Sequence, residues 1–446
     1  MARIAGIAGR GKQADVQRML NRMRHRGTVG CESFETPDFT LGAVWTDAQP
    51  RALAKERATV EDSPGEGHFA RAEVRDGKLV LSRDWVGVAP LYYGITQEGL
   101  LCFASEVRAI LTVTRDVREF PPGYRFDGVS FELCTSLPSL EVLADSPRQI
   151  ARELKRRLQR AVAARVRDNR VGTWLSGGLD SSALTALAKP LVRPLHTFAG
   201  GLVGAPDLAH ARIVSDFLHT EHHEVILTLT DLLNALPDVI YHLESFDALL
   251  VRSSVVNYMV GKAASDYVAE VFSGEGGDEL FAGYEYLKEI APSELLDELI
   301  DITGRLHNTA LQRVDRSSAA HGLAAHVCFL DPDVAGYALR IPIELKLRDG
   351  VEKWILRQAM DGMLPRETLE RRKSKFWEGA GVGDLLARHA DETISDRDFV
   401  RERRLSNGWE LNTKEELMYY RIFAEHFGQT EDFSWMGRTK AAPMIT

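Results

Sequence analysis

Residues 171–189, VGTWLSGGLDSSALTALAK, constrain the fold of this chain more than any other stretch. Val171 to Leu175 is a short apolar run suited to a buried parallel strand, and Ser176-Gly177-Gly178-Leu179-Asp180-Ser181-Ser182 is a tight polar turn. Ala183 onward reads as a helix. A strand that turns through glycines into a helix makes an anion site. Gly177 and Gly178 permit positive φ and close approach of a ligand, and the unpaired N–H groups of the new helix point outward with the positive dipole end. Phosphate oxygens suit such a place, although the spacing is not the Walker pattern G-x-x-x-x-G-K-[ST]. The plain alternative is a glycine turn with a serine cap.

The segments that follow alternate in type. Strands are expected at Leu195–Phe198, His223–Leu227 and Val268–Phe272, and helices at Ala209–Phe217, Asp231–Leu243 and Ser253–Ala264. That alternation predicts an α/β fold with a parallel doubly wound sheet and ligands beyond the carboxyl ends of its strands. A second glycine turn follows the last of these strands, Ser273-Gly274-Glu275-Gly276-Gly277-Asp278-Glu279. Three like charges so close cost stability unless Mg²⁺ or an ammonium-bearing substrate offsets them; otherwise the run is a solvated acidic turn.

At 446 residues the chain is too long for one ordinary core. The Ser-, Pro- and Asp-rich residues 136–147 read as a linker, which divides the chain into 1–145 and 146–446. Ser146-Pro147-x-Gln149 is a capping box with proline at the first helical position, and Ile150, Leu154, Leu158, Val162 and Val166 mark one helix face to pack on the second domain. A net charge of -9 argues against a nucleic-acid or anionic-membrane surface. No apolar run is long enough for a membrane span and the start shows no signal-peptide pattern, so the cytoplasm is the expected location. Four scattered cysteines indicate neither a zinc site nor a disulfide framework.

Ser-Gly-Gly-x-Asp-Ser-Ser resembles the pyrophosphate loop of the N-type ATP pyrophosphatases, which cut ATP between the α and β phosphates. Beyond that loop, Met-x-x-Ile-x-Gly-Ile at the start, Arg24-His25-Arg26-Gly27, Arg83-Asp84, Pro90-Leu91-Tyr92-Tyr93, Phe103-Ala104-Ser105-Glu106 and Pro121-Pro122-Gly123 are similar to the glutaminase domain of the asparagine synthetase family. The Ser-Gly-Glu-Gly-x-Asp-Glu motif and Arg371-Arg372-Lys373-Ser374-Lys375 are similar to its synthetase domain. The resemblance implies an Ntn-type α+β sandwich ahead of an ATP pyrophosphatase domain with a helical C-terminal part. It also implies ATP held by Leu175, Ser176, Gly177, Gly178, Ser181, Ser182, Gly200, Ser273 and Gly274, and Mg²⁺ held by Asp180 and Asp278. Glu275 would be the base that deprotonates the attacking nitrogen, Lys373 would neutralise charge on the α-phosphate, and Asp278 and Glu279 would meet substrate. Gly200 also fits a plain turn, and Asp207 fits a helix cap as well as the family's run.

The chain departs from the family in three places. Ala2 stands where the nucleophilic cysteine is expected, with Arg3 beside it in place of a small residue. A methyl group cannot attack a carboxamide, and a mid-chain thiol such as Cys31 lacks the terminal amine. The family's glutamine-binding segments have no counterpart between Thr40 and Asp76. Finally, Ala324, His326 and Cys328 replace a glutamate, an arginine and a proline, either as specificity determinants or as parts of a loop without functional consequence. β-Lactam synthetases of the family carry tyrosine where Glu275 stands. The expectation is therefore an AMP-forming amide ligase that takes a small carboxylic acid such as aspartate and free ammonia or an amine, without glutamine hydrolysis. An amide or lactam synthetase using an amine nucleophile and a catalytically silent paralogue are the rivals, and a homodimer is left open.

Overall fold

The computed structural model describes residues 2–27, 29–46, 52–65, 67–134, 141–372, 376–428 and 432–439. The N-terminal part is a sandwich of two six-stranded antiparallel sheets. One sheet runs in the order Arg118–Glu119, Tyr92–Ile95, Leu101–Ala104, Arg3–Ile7, Thr40–Trp45, Gly30–Glu35. The other runs Phe131–Leu133, Tyr124–Phe126, Lys78–Arg83, His68–Arg75, Thr59–Gly65, Leu53–Ala54. Ile4, Leu41 and Phe103 of the first sheet meet Val60, Ala72 and Leu81 of the second in the core between them. The amphipathic helix Gln13–Arg22 covers the outer face of the first sheet with Val16, Met19 and Leu20.

Helix α1 (Pro147–Ala163) opens the second part, and its start is the capping box expected from Ser146 and Gln149: the Ser146 N–H donates to Gln149 Oε1 at 3.0 Å. Ile150, Leu154, Leu158 and Val162 are fully buried against Val171, Leu175, Ala183 and Leu187. Five parallel strands follow: β1 (Val171–Trp174), β2 (His196–Leu202), β3 (Glu221–Leu227), β4 (Glu270–Phe272) and β5 (Ala324–His326). Their order in the sheet is β3-β2-β1-β4-β5. The order reverses between β1 and β4, and a doubly wound sheet opens its ligand crevice there. Helices α2 (Leu179–Ala188), α3 (Pro206–Leu218), α4 (Leu229–Leu243), α5 (Ala248–Ala264) and α6 (Ala310–Ala319) pack around the sheet.

Of the boundaries that differ from expectation, three have clear local reasons. β2 continues through Gly200 and Gly201 to Leu202. A Cβ at Gly200 would lie 2.3 Å from Val260 Cγ2, so the glycine lets α5 lie against the strand. α3 starts at Pro206, whose fixed φ suits the first helical position. α5 starts at Ala248 because the Asp247 carboxylate accepts from the Leu250 N–H at 2.9 Å.

Candidate active site

Both glycine turns leave the carboxyl ends of β1 and β4, the two strands at the switch point. In the first, the Leu175 N–H still pairs with the Phe198 carbonyl at 2.8 Å, after which the chain leaves the sheet. Gly177 takes φ +67°, and a Cβ there would stand 2.3 Å from the His210 carbonyl carbon. The Ser176 and Ser181 hydroxyls lie 3.1 Å apart, and Ser181 Oγ also receives the Ser176 N–H at 3.2 Å. These hydroxyls and the free end of α2 make a ring of donors with Gly178 at the cap position. Ser182 is fully buried on the inner side of α2.

The second turn packs directly on the first. A Cβ at Gly274 would lie 3.0 Å from Asp180 Cβ, and one at Gly277 would lie 2.5 Å from Asp180 Cγ. The Ser273 N–H pairs with the His326 carbonyl at 2.9 Å, which extends the ladder to β5. Glutamate at 275 forms an ion pair with Arg313 of α6, and both side chains are largely buried. Glu279 is buried and accepts from the Tyr284 hydroxyl. Burial, with Asp278 alongside, pushes the Glu279 carboxyl up to about 7, while burial next to Glu279 keeps the Tyr284 phenol protonated.

The residue that joins the two turns went unassigned in the sequence. Lys353 Nζ meets Asp180 Oδ2 and, at 2.7 Å, Asp278 Oδ1, and the lysine side chain is 3% exposed. Its backbone sits at φ +56° before a short helix, Trp354–Ala359, and its N–H is anchored on the Phe281 carbonyl at 3.1 Å. A Cβ at Gly283 would collide with both Asp278 Oδ1 and Lys353 Cε, at 2.1 and 2.4 Å. Arg371 is a second unassigned contact: it donates to the Ser176 carbonyl at 3.0 Å and to Asp207 Oδ1 at 2.6 Å. Asp207 thus holds an arginine at the mouth of the loop and does not cap α3. The run Lys353-Trp354-Ile355-Leu356-Arg357 and the arginine pair before Lys373 were the visible traces of these contacts. Lys373 itself lies outside the described residues.

The donor set suits a hard divalent ion. Two carboxylates from different loops converge on one cation, and glycines at 277 and 283 leave the space around them free of Cβ atoms. Oxygen ligands from one or two carboxylates, completed by phosphate and water, are the usual Mg²⁺ arrangement. Among the described residues no group of three or more His, Cys, Asp or Glu side chains could hold a metal by itself.

Ala324 and His326 lie on β5, and Cys328 just after it. All three are buried; His326 pairs with Glu270, and Cys328 Sγ lies 3.8 Å from the Ala161 carbonyl of α1. Burial pushes the Cys328 thiol up to about 12.

A family model for asparagine synthase matches residues 153–301 and 297–444, and one for a glutamine amidotransferase domain matches residues 54–121. The chain belongs to the asparagine synthetase family. The glutamine-hydrolyzing asparagine synthetase 2 of Lotus japonicus is 35% identical over 387 residues, 81% of this chain and 66% of its own length. The glutamine-hydrolyzing asparagine synthetase of Gallus gallus is 32% identical over 443 residues, 88% of this chain and 78% of its own. The chain therefore spans about two thirds of the plant relative. Among solved structures, NMN synthetase from Francisella tularensis aligns with a TM-score of 0.29 and 13% identity over 64% of this chain and 97% of its own.

In this member of the asparagine synthetase family, Ala2, directly before the strand Arg3–Ile7, lies at the wall of a cavity of about 360 Å³, which Leu53, Thr59 and Ser63 also line. Ala2 is 1% exposed and offers only a methyl group. No helix among the described residues is long and apolar enough to cross a membrane.

Proposed function

We propose that the protein is an AMP-forming carbon–nitrogen ligase that adenylates a small carboxylic acid, aspartate or a close relative, and transfers the acyl group to free ammonia or an amine. The observation that carries this reading is the convergence of Asp180 and Asp278 on Lys353, with Glu275 held by Arg313 beside them. Phosphate donors, a cation and a fixed base then occupy one crevice.

In this reading the N–H groups and hydroxyls of Ser176, Gly177, Gly178 and Ser181 bind the β- and γ-phosphates, with Leu175 closing the loop, while Ser182, buried with its N–H on the Gly178 carbonyl at 3.1 Å, supports the loop from inside. The Gly200 main chain, Ser273 and Gly274 face the nucleoside. Asp180 and Asp278 hold Mg²⁺, which when bound neutralises phosphate charge. A carboxylate oxygen bonds to the α-phosphorus as the α–β bridging bond breaks, and Lys353 meets the charge that grows on departing pyrophosphate. Lys373 does the same for the α-phosphate. Glu275 then takes a proton from the nitrogen as it bonds to the acyl carbon and AMP leaves. Glu279 and Asp278 hold the substrate's ammonium group. Ala2 supports a nitrogen source other than glutamine, because no thiol stands at position 2 to attack a carboxamide.

Nitrogen origin is the test. Native protein is supplied with ATP, Mg²⁺, aspartate and either ¹⁵N-ammonium or amide-¹⁵N-glutamine, with a panel of other acids beside aspartate. Label should enter product from ammonium alone. Label from glutamine, with Ala2 verified in the sample, would refute the nitrogen assignment.

A further inference from the structure

Helix α6 is held from two opposite sides. Toward the N-terminal part, Asp315 receives Arg3 and also Arg26, whose Nη2 lies 2.9 Å from Asp315 Oδ2. The next residue, Arg316, reaches Glu106 of the N-terminal part at 3.3 Å and Glu244 at 3.0 Å. Arg3 is fully buried, and its second amino group grips Asp62 in the other sheet. One planar fork therefore ties both sheets of the sandwich to α6. Two residues before Asp315, about 200° around the helix at 3.6 residues per turn, Arg313 reaches Glu275. Gln312 fixes the helix endwise through a 2.7 Å bond to the Leu243 carbonyl.

We propose that Arg3 is a positioning residue for the amide-forming step, clamping α6 so that Arg313 presents the Glu275 carboxylate to the nitrogen nucleophile. This rests on Glu275 being the base. The adenylating groups, Ser176 to Ser182 and Lys353, sit on other elements, so the clamp acts on the second half-reaction. It also gives the sandwich a task that needs no chemistry of its own: the residue next to Ala2 aligns a base in the other domain. A misplacement of about 1 Å can cost on the order of 100-fold in rate.

Two half-reactions are measured on the same samples: acid-dependent ATP–pyrophosphate exchange and amide formation from ammonium. The variants are Arg3→Lys, which keeps the charge but cannot fork between two carboxylates, and the double variant Arg3→Met with Asp62→Asn, which removes one buried pair together. Exchange should stay within about twofold of native while amide formation falls roughly 10- to 100-fold in the double variant and less in Arg3→Lys. Hydrogen exchange across residues 310–319 should quicken in both. Amide formation that changes in step with exchange, or not at all, or unaltered protection of 310–319, overturns the proposal. Should the double variant fail to fold, Arg3→Lys decides alone. Native protein without acid-dependent exchange would sink the ligase reading, and a Glu275→Gln variant that loses both half-reactions equally would sink the base assignment; neither outcome is produced by a failure of the clamp.

Discussion

Replacing Lys353 by methionine keeps the length of the stem and removes the cation between Asp180 and Asp278. Both carboxylates are nearly buried, at 10% and 13% side-chain exposure, and the lysine at 3%. At an effective dielectric constant of about 20, a unit pair about 4 Å apart is worth roughly 4 kcal/mol before desolvation, and breaking a buried pair typically costs about 3–5 kcal/mol. With an unfolding entropy of about 2.1 cal/mol/K per residue, 446 residues give about 0.9 kcal/mol/K, so Tm should fall by about 3–5 °C in metal-free buffer. Without the ammonium between them, Asp180 and Asp278 are then a better site for Mg²⁺. Millimolar Mg²⁺ without nucleotide should restore most of the loss in Lys353→Met and move the native Tm less, since the native ammonium competes for the same oxygens. Differential scanning calorimetry with and without Mg²⁺ reads both effects. An unchanged Tm in the variant, or an equal Mg²⁺ response in both proteins, would refute the view that Lys353 occupies a cation position.

Glu275→Gln should leave ATP–pyrophosphate exchange intact and slow amide formation by about 10²–10⁴-fold, the usual span of a general base; equal losses in both steps would remove the assignment. Cys328→Ser and His326→Gln should alter stability without changing which acid supports turnover, because both side chains point into the core; a switch of preferred acid in the substrate panel would contradict this. Burial lowers the His25 imidazole to about 4. Between its ordinary value near 6.5 and 4, unfolded chain takes up a proton that folded chain refuses, so stability falls as pH drops through that window, by at most roughly 3 kcal/mol from this group. Chemical denaturation of native protein and His25→Gln across pH 4–7 should show a shallower slope in the variant.

Four of the five parallel strands were legible as short runs between helices, and the two turns because glycines and carboxylates cluster at strand ends; the three-residue β5 (Ala324–His326) was not expected, being too short to show a pattern. Helix starts were less so: the sequence pattern placed the start of α5 at Ser253, while the Asp247 cap sets it at Ala248. Gly200 read as a turn or a base contact, yet its lack of a Cβ is required by Val260 on a helix more than fifty residues later. The same distance hid Lys353, Arg313 and Arg371. Each lies far along the chain from the carboxylate it meets, with no spacing rule to connect them, so only the folded sheet brings them together. Arg3 was visible as an odd neighbour of Ala2, but Asp315, its partner 312 positions away, was not.

The most direct test of the two-turn site is the fate of ATP itself. With native protein, Mg²⁺, ammonium and an acid from the panel, phosphorus NMR should show AMP and pyrophosphate appearing in equal amounts and only when the acid is present. ADP with inorganic phosphate, or ATP cleavage indifferent to every acid, would contradict the account.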